Sequence, residues 1–266
     1  MLRLIKNNNK CGSVLSFLRF FSAVFFLLFS FVSFADQGRV AIIIDDIGYR
    51  YSDAKALELP GNITYSILPH TPYGKKLALK ANARNHDVLL HIPMESQKGK
   101  RLGPGALTSD MSEEKIYETL AASLNEIPFA IGINNHMGSR LTTLYQPMSW
   151  TMSFLKEKQL FFLDSKTSAN SQAEQAALDS GVPVNSRHVF LDNQLDDHYI
   201  EKQFNELISQ AQNNAFAIAI AHPHPETVKN LTRLIPLLAE NNITLVPLSE
   251  LYIKQSLTTV AQYASE

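Results

Sequence analysis

Two adjacent carboxylates follow an apolar run near the start of the chain, in the stretch AIIIDDIG at residues 41–48. At the end of a buried strand, Asp45 and Asp46 would repel each other and need a compensating cation. No arginine or lysine follows them until Arg50, whereas a metal ion would supply the missing positive charge. The pair is therefore the first candidate for a metal site.

Histidines lie at the ends of other apolar runs along the chain. On spacing alone, the candidate metal ligands are either aspartate together with His91, His136 and His222. Aspartate oxygens and histidine nitrogens, with no thiolate, suit zinc or another first-row divalent ion. Three protein ligands would leave a fourth position for water, whose pKa the ion would lower toward about 7. The residue types therefore favour a catalytic divalent metal, with zinc as the leading candidate.

Glu95 follows His91 by four residues in the stretch HIPME. In an extended strand these two residues would stand about 13 Å apart, too far to share one ion. Pro93 cannot donate to a sheet ladder and is expected to end the strand, which would let the chain turn Glu95 back. Glu95 is therefore a candidate fourth ligand or a neighbour of the ligands.

Other residues at strand ends have simpler interpretations. A lone aspartate after a strand commonly caps the next helix, which is the expectation for Asp192 and an alternative for Asp164. His70 directly precedes a Thr-Pro pair and is expected in a loop. For these residues, a structural role competes with a role at the site.

The elements that position these residues alternate short apolar runs with segments of helical periodicity. Strands are predicted at residues 40–46, 63–68, 88–92, 129–134, 160–164, 188–191, 216–221 and 243–248. Helices are predicted at residues 53–57, 71–84, 112–125, 147–158, 171–179, 196–213 and 225–240. Alternation of this kind indicates an α/β fold, a parallel sheet covered by helices. Roughly seven or eight units favour a closed or nearly closed barrel, with an open doubly wound sheet as the alternative.

Two of the predicted helices carry start signals. Thr71 precedes Pro72, which suits the first helical position. Ser112 precedes Glu113 and Glu114, which suit the first turn. We therefore expect Thr71 and Ser112 to cap these helices.

The first 35 residues have the pattern of a secretory signal peptide. Basic residues precede an apolar run, and Ser33-Phe34-Ala35 supplies the small residues that a signal peptidase recognises. Cleavage is expected after Ala35, which would release a single domain of residues 36–266 into the periplasm or the medium. An uncleaved membrane anchor is the alternative, because the apolar run is nearly long enough to span a bilayer.

The charge and cysteine content of that domain argue against some classes of partner and chemistry. The first 35 residues hold four of the 24 basic residues, none of the 25 acidic residues, and the only cysteine, Cys11. The remainder therefore carries a net charge of about −5, which argues against a nucleic-acid or anionic-membrane surface. Without a thiol, it can form no disulfide and offers no cysteine nucleophile or thiolate ligand.

Five motifs, taken in order, resemble the divergent polysaccharide deacetylase family. They are Ile-Asp-Asp-Ile-Gly at 44–48, His-Ile-Pro-Met-Glu at 91–95, Gly-Ile-Asn-Asn-His-Met-Gly-Ser at 132–139, Leu-Asp-Ser-Lys-Thr at 163–167 and Ala-His-Pro-His-Pro-Glu-Thr at 221–227. The resemblance covers residues 39–253, nearly the whole predicted domain. It implies a distorted (β/α) barrel of about seven strands and metal-assisted removal of an N-acetyl group from a sugar.

The resemblance also implies roles for single residues. In metal-dependent polysaccharide deacetylases, the first aspartate of an Asp-Asp motif is the general base and the second is a metal ligand. These roles fall on Asp45 and Asp46. A later Leu-x-His motif supplies the general acid there, and its counterpart here is His222.

The ligand set departs from that pattern at one place. The second histidine of the His-x-x-x-His ligand pair falls on Glu95, so His136 is the expected substitute. The implied metal ligands are Asp46, His91 and His136. The arginine that orients the base in those enzymes has Arg140 as its candidate. Candidates for substrate binding or for support of the site are Glu95, Arg140, Asp164 and His224.

Three hypotheses of function follow. The leading one is an exported metal-dependent hydrolase of carbon–nitrogen bonds that deacetylates an N-acetylated envelope polysaccharide, such as the peptidoglycan glycan. The second is a catalytically degenerate protein of the same fold that binds an envelope glycan or an envelope protein. The third is a metal-free glycosidase with Asp45 and Glu95 as its acid and base, which leaves the strand-end histidines unexplained.

Overall fold

The computed structural model describes residues 37–252. The predicted signal peptide at residues 1–35 and the end of the predicted domain, residues 253–266, lie outside the described residues. Cleavage after Ala35 therefore stays a prediction. Within residues 37–252, no helix has the length and apolar character needed to cross a membrane.

The described residues contain one sheet of nine strands. Each of the eight predicted apolar runs overlaps a strand. The additional strand, β6 (Val184–Ser186), was not predicted because it has only three residues and little apolar signal. The strands are β1 (Gly38–Ile47), β2 (Thr64–Ile67), β3 (Val88–Met94), β4 (Gly132–Met137), β5 (Phe161–Asp164), β6 (Val184–Ser186), β7 (Val189–Phe190), β8 (Phe216–Ala221) and β9 (Ile243–Leu245).

The sheet curls until its two edge strands come together. Its strand order is β6-β5-β4-β3-β2-β1-β8-β7, with β9 also paired to β1, and every pairing is parallel. Only Arg187 and His188 separate β6 from β7. The backbone N–H of Arg187 donates to Asp164 on β5, and that of His188 donates to Ile218 on β8. One short segment thus contacts both ends of the strand order, which confirms the distorted barrel and excludes the open doubly wound sheet.

Successive residues of each strand alternate between two apolar layers. Ile42 and Ile44 of β1 pack in the larger cluster that includes the helices. Ala41 and Ile43 belong to a smaller cluster enclosed by the strands. Because both faces are buried, the strands appear in the sequence as continuous apolar runs. Other strands contribute to the enclosed cluster through Leu89, Leu163, Ile218 and Ile220.

Helices connect most of the strands. Ser112 caps α2 (Glu113–Glu126) as predicted, because its side chain accepts a hydrogen bond from the backbone N–H of Lys115. Two short 3₁₀ helices, Tyr51–Glu58 and Leu141–Thr143, accompany the α-helices. The α-helices are α1 (Gly74–Asn82), α2 (Glu113–Glu126), α3 (Tyr145–Glu157), α4 (Ala173–Ser180), α5 (Asp197–Asn213), α6 (Pro225–Leu234) and α7 (Leu237–Glu240).

The prediction that Thr71 caps a helix was wrong. Helix α1 begins at Gly74, after Tyr73 as its N-cap. The Thr71 hydroxyl instead donates to the backbone carbonyl of Leu68 and closes a turn after β2. A side chain that donates to this carbonyl is not accepting from the first amides of the helix.

Two predicted elements that contain a proline also differ from the structure. Pro93 does not end β3, which continues to Met94 beside β4. Pro93 lacks an N–H, but its carbonyl still accepts a hydrogen bond from the N–H of Leu107. By contrast, Pro236 divides the single helix predicted over residues 225–240 into α6 and α7.

Candidate active site

Strand alternation brings a set of polar side chains to the carboxyl end of the barrel interior. Asp45 and His91 each stand two residues beyond an apolar residue of the enclosed cluster on the same strand. His222, directly after β8, stands two residues beyond Ile220 of that cluster. Side chains two residues apart share a face of a strand. On β4, Asn134 lies level with His91, and His136 is the next residue on the same face. The inward-facing polar set is therefore Asp45, His91, Asn134, His136 and His222.

Asp46 reaches the same site because β1 bulges beside it. Ile44 and Ile47 of β1 pair with Tyr65 and Ile67 of β2, so β1 accommodates one extra residue there. Asp46 has a φ of 59°, in the left-handed region. In a regular strand, adjacent side chains point to opposite faces. The bulge instead lets both neighbouring carboxylates approach one histidine.

Asp46, His91 and His136 form a cluster of possible metal ligands. Asp46 Oδ1 lies 3.0 Å from His91 Nε2 and 2.7 Å from His136 Nδ1. The ligand atoms of the three residues all lie within 4.8 Å of one another. One carboxylate with two imidazoles matches the donor types of catalytic zinc sites. The structure therefore brings together the three residues that the resemblance implied as ligands.

The charges around this cluster favour a cation. Burial raises the pKa of Asp45, which is 2% exposed. Burial also opposes ionisation of Asp46, but hydrogen bonds from His136 and His91 outweigh it and hold its pKa far below the ordinary range. For His91, burial disfavours the charged form, yet the charges of Asp45 and Asp46 raise its pKa. A divalent ion could replace the proton that these carboxylates attract.

His222 is held beside the cluster by Asp192. Its Nε2 lies 4.0 Å from Asp46 Oδ2, and its Nδ1 lies 2.9 Å from Asp192 Oδ1. Asp192 also accepts hydrogen bonds from the His222 backbone N–H and the Thr227 hydroxyl. Burial lowers the pKa of His222, but the bond to Asp192 and the nearby carboxylates outweigh it and raise the pKa to about 9.

The expectation that Asp192 caps the following helix was wrong. Helix α5 is capped by Asp196, whose side chain accepts a hydrogen bond from the Tyr199 N–H. Asp192 is free to contact His222 because a second capping residue stands four positions later. Asp196 was the signal in the sequence: with a capping residue already present, Asp192 was available to pair with another side chain, here His222.

Glu95 and Arg140 pair with each other instead of joining the ligand cluster. Glu95 Oε1 lies 3.0 Å from Arg140 Nε, and Glu95 Oε2 accepts the backbone N–H of Ser109. Arg140 Nε also contacts the Ser109 hydroxyl. Both carboxylate oxygens of Glu95 thus have partners other than the ligands. The geometry supports neither Glu95 as a fourth ligand or partner of Asp45, nor Arg140 as the residue that orients Asp45.

A different arginine, Arg187, lies within electrostatic range of Asp45. Burial lowers the pKa of Arg187, and the carboxylates of Asp164 and Asp45 oppose that effect. Its Nε donates to the backbone carbonyl of Ser165, and its guanidinium lies 3.7 Å from the ring centroid of Phe190. Arg187 stands between two strands of only two or three residues. Their weak apolar signal explains why sequence reasoning missed it.

Asp164 and His224 border the site in different ways. Asp164 is fully buried, and its Oδ1 accepts the backbone N–H of Lys166. It therefore supports the turn after β5 from a fully buried position. His224 precedes α6, and its ring centroid lies 6.1 Å from that of His222. Unlike Asp164, His224 lines the pocket above the cluster.

Two pockets reach the cluster from the surface. The first is lined by Asp46, His136, His222 and His224, together with Tyr49 and Arg50. The second also includes Tyr49 and His136 and is bordered by residues 101–104. Tyr49 is 49% exposed. An exposed aromatic ring thus lines two openings that both lead to a possible metal ligand.

The fold has counterparts among solved structures. ATU2773, an uncharacterized protein from Agrobacterium tumefaciens C58, matches with a TM-score of 0.78 at 24% identity, covering 81% of this chain and 89% of that chain. Wild-type BA3943 from Bacillus anthracis, a CE4 family pseudoenzyme, matches with a TM-score of 0.52 at 13% identity, covering 81% of this chain and 66% of that chain. At these identities, the similarity shows the fold alone.

Sequence similarity is more specific. The chain is 40% identical over 215 residues to the uncharacterized protein YibQ of Escherichia coli (strain K12), covering 80% of this chain and 67% of YibQ. Residues 42–252 match the family model described as divergent polysaccharide deacetylase. That match includes every residue of the ligand cluster. The chain therefore belongs to the divergent polysaccharide deacetylase family.

Proposed function

We propose that this protein is a metal-dependent hydrolase that removes acetyl groups from an N-acetylated polysaccharide of the cell envelope. The observation that carries the proposal is the arrangement around Asp46. Two histidines converge on this carboxylate, a second carboxylate stands beside it, and a carboxylate-paired histidine lies on its other side. These are the groups that metal-assisted amide hydrolysis needs.

Asp46, His91 and His136 would hold the metal ion. The fit rests on their donor atoms, one carboxylate oxygen and two imidazole nitrogens within 4.8 Å of one another, which catalytic zinc accepts. When bound, the ion would supply Lewis-acid polarisation of the acyl carbonyl. Zinc is the proposed ion for this donor set.

Asp45 and His222 would divide the two proton transfers. Burial raises the pKa of Asp45, so its carboxylate is a better base for water as the water oxygen attacks the acyl carbon. His222, kept protonated by Asp192, would donate its proton to the amine nitrogen as the carbon–nitrogen bond breaks. The products are a free amino sugar and acetic acid, which releases the remaining water-derived proton to solvent as acetate.

The envelope location is part of the same proposal. It rests on the signal-peptide pattern of residues 1–35 and on the absence of a thiol after Cys11. The substrate would be a glycan of that compartment, such as the peptidoglycan strand. The two openings that Tyr49 lines offer room for sugars that flank the acetylated residue.

The proposal is tested by incubating the purified, zinc-loaded protein with N-acetylated glycans, including peptidoglycan strands and chitooligosaccharides, and measuring released acetate. Release above that of a heat-inactivated sample supports hydrolysis. Glycan binding without acetate release would instead support the degenerate binding protein. That alternative has a specific precedent in fold, because BA3943 is described as a pseudoenzyme.

Replacing Asp192 by asparagine should shift the pH dependence of acetate release. His222 must be protonated to donate, so the rate should fall as the pH rises through its pKa, which is about 9. Asparagine removes the negative partner and lowers that pKa, so the alkaline limb of the pH–rate profile should move to lower pH. At high pH, the rate should fall by about 10²- to 10⁴-fold. The measurement is the full pH–rate profile.

Asp197→Asn is the matched control for this prediction. Asp197 is an exposed carboxylate that pairs with Lys229 on the surface, so its loss should leave the profile in place. An unchanged alkaline limb in the Asp192→Asn variant would show that His222 does not act as the acid.

A further inference from the structure

Asn134 joins the metal ligands to the general base through a single side chain. It is fully buried on β4. Its Oδ1 lies 2.8 Å from His91 Nδ1 and also accepts the hydroxyl of Ser66. Its Nδ2 lies 2.9 Å and 3.1 Å from the two carboxylate oxygens of Asp45. The amide therefore contacts both halves of the candidate catalytic machinery.

The neighbours of Asn134 allow only one orientation of its amide. Turning it over would place its oxygen against the Asp45 carboxylate and leave two acceptors without a donor. With the NH₂ group on Asp45, the amide oxygen faces His91 and can only accept. His91 must then carry its hydrogen on Nδ1. In the neutral ring, the lone pair consequently lies on Nε2, which is 3.0 Å from Asp46 Oδ1.

The same amide also distinguishes the two adjacent carboxylates. Both oxygens of Asp45 are engaged by the Asn134 NH₂ group, and Asp45 Oδ2 remains 3.7 Å from His91 Nε2. Asp46 receives no bond from Asn134 and approaches His91 and His136 directly. Asn134 thus restrains one carboxylate while leaving the other available to an ion.

We propose that Asn134 is a positioning residue with two linked functions. It fixes His91 in the tautomer whose Nε2 binds metal, and it holds Asp45 as the proton acceptor rather than as a ligand. The second function rests on the proposed hydrolysis, whereas the first concerns metal binding alone. Partners of this kind typically change metal affinity by about 10- to 100-fold when removed.

Two substitutions separate these functions. Asn134→Leu preserves the approximate volume but removes both the acceptor and the donors. Asn134→Asp keeps an oxygen for the His91 Nδ1–H but loses the NH₂ group that binds Asp45. Ser66→Ala is the control, because it removes another hydrogen bond to the same amide oxygen without touching His91 or Asp45.

The experiment measures three quantities on the whole protein. Nitrogen-15 NMR of the metal-free protein, at a pH above the pKa of His91 where its ring is neutral, reports the His91 tautomer. Chelator competition reports zinc affinity, and acetate release reports turnover. Asn134→Leu should lose the fixed Nδ1–H tautomer and bind zinc about 10- to 100-fold more weakly. Asn134→Asp should retain both properties while releasing acetate at least about 10-fold more slowly. Ser66→Ala should stay close to the wild type in all three.

The two parts of the proposal fail in distinguishable ways. An Asn134→Leu variant with the wild-type tautomer and zinc affinity would overturn the role at His91. If that variant does not fold, loss of the Nδ1–H tautomer in Asn134→Asp would overturn it instead. Undiminished acetate release by Asn134→Asp would overturn the role at Asp45. A wild-type protein that binds zinc but releases no acetate would contradict the proposed hydrolysis and leave the tautomer and affinity comparisons valid.

Discussion

Replacing Asp46 by alanine should abolish both metal binding and acetate release. Asp46 Oδ1 is the atom on which His91 and His136 converge, so its loss leaves two imidazoles without an anionic ligand. The rate should fall to that of the metal-free protein, at least about 10²-fold below the wild type by the scale of lost transition-state charge stabilisation. Metal content per protein chain and acetate release, measured on the same preparation, check this result.

The backbone at Asp46 requires a second variant. Its φ of 59° lies in the left-handed region, where alanine is strained by roughly 1–2 kcal/mol and glycine is not. Asp46→Gly should therefore lose the metal as completely as Asp46→Ala, while unfolding at a temperature closer to that of the wild type. A metal-replete Asp46→Gly protein would show that Asp46 is not a ligand.

Replacing Asp45 by asparagine should remove activity while leaving the metal in place. The substitution preserves the shape of a buried side chain and keeps one oxygen to accept from Asn134. It removes the base that would take a proton from water, an effect of about 10²- to 10⁴-fold on turnover. Turnover at saturating substrate and zinc stoichiometry are the two measurements.

The comparison of Asp45→Asn with Asp46→Ala separates the roles of the adjacent carboxylates. The first variant should be an inactive zinc protein and the second an inactive zinc-free protein. Full turnover by Asp45→Asn would exclude Asp45 as the base. Loss of zinc from Asp45→Asn, with retention in Asp46→Ala, would reverse the assignments.

Much of the fold was predictable because its strands are buried on both faces. Runs such as Phe216–Ala221 are apolar throughout and end at polar residues, so their positions and parallel arrangement follow from the sequence. The predictions for single residues failed where a hydrogen bond to another part of the chain outweighed the local sequence preference. Thr71 donates to Leu68 instead of capping α1, and Pro93 stays in β3 because its carbonyl is still paired.

The composition of the ligand cluster was predictable from position and resemblance together. Strand ends supplied the candidates, and two-residue alternation explains why His91 and His136 share the inner face with Asp45. Alternation alone would have directed Asp46 away from them. The bulge after Ile44 places Asp46 beside the two histidines, and no local sequence pattern predicts that bulge.

Residues that act through another side chain were harder to predict. Asn134, Asp192 and Arg187 owe their importance to partners distant in sequence, and none belongs to a spacing pattern of its own. Arg140 was the predicted arginine beside the base, but in the structure it pairs with the carboxylate of Glu95 instead of Asp45. Pairing choices of this kind depend on which strands become neighbours.

The most direct test of the account is the acetate released from one N-acetylated glycan by chelator-treated wild-type protein, before and after zinc is restored. The metal-free protein should release no more acetate than a heat-inactivated sample, because Asp45 and His222 alone do not polarise the acyl carbonyl. One equivalent of zinc, bound at Asp46, His91 and His136, should restore turnover. Equal release with and without zinc would contradict the central claim.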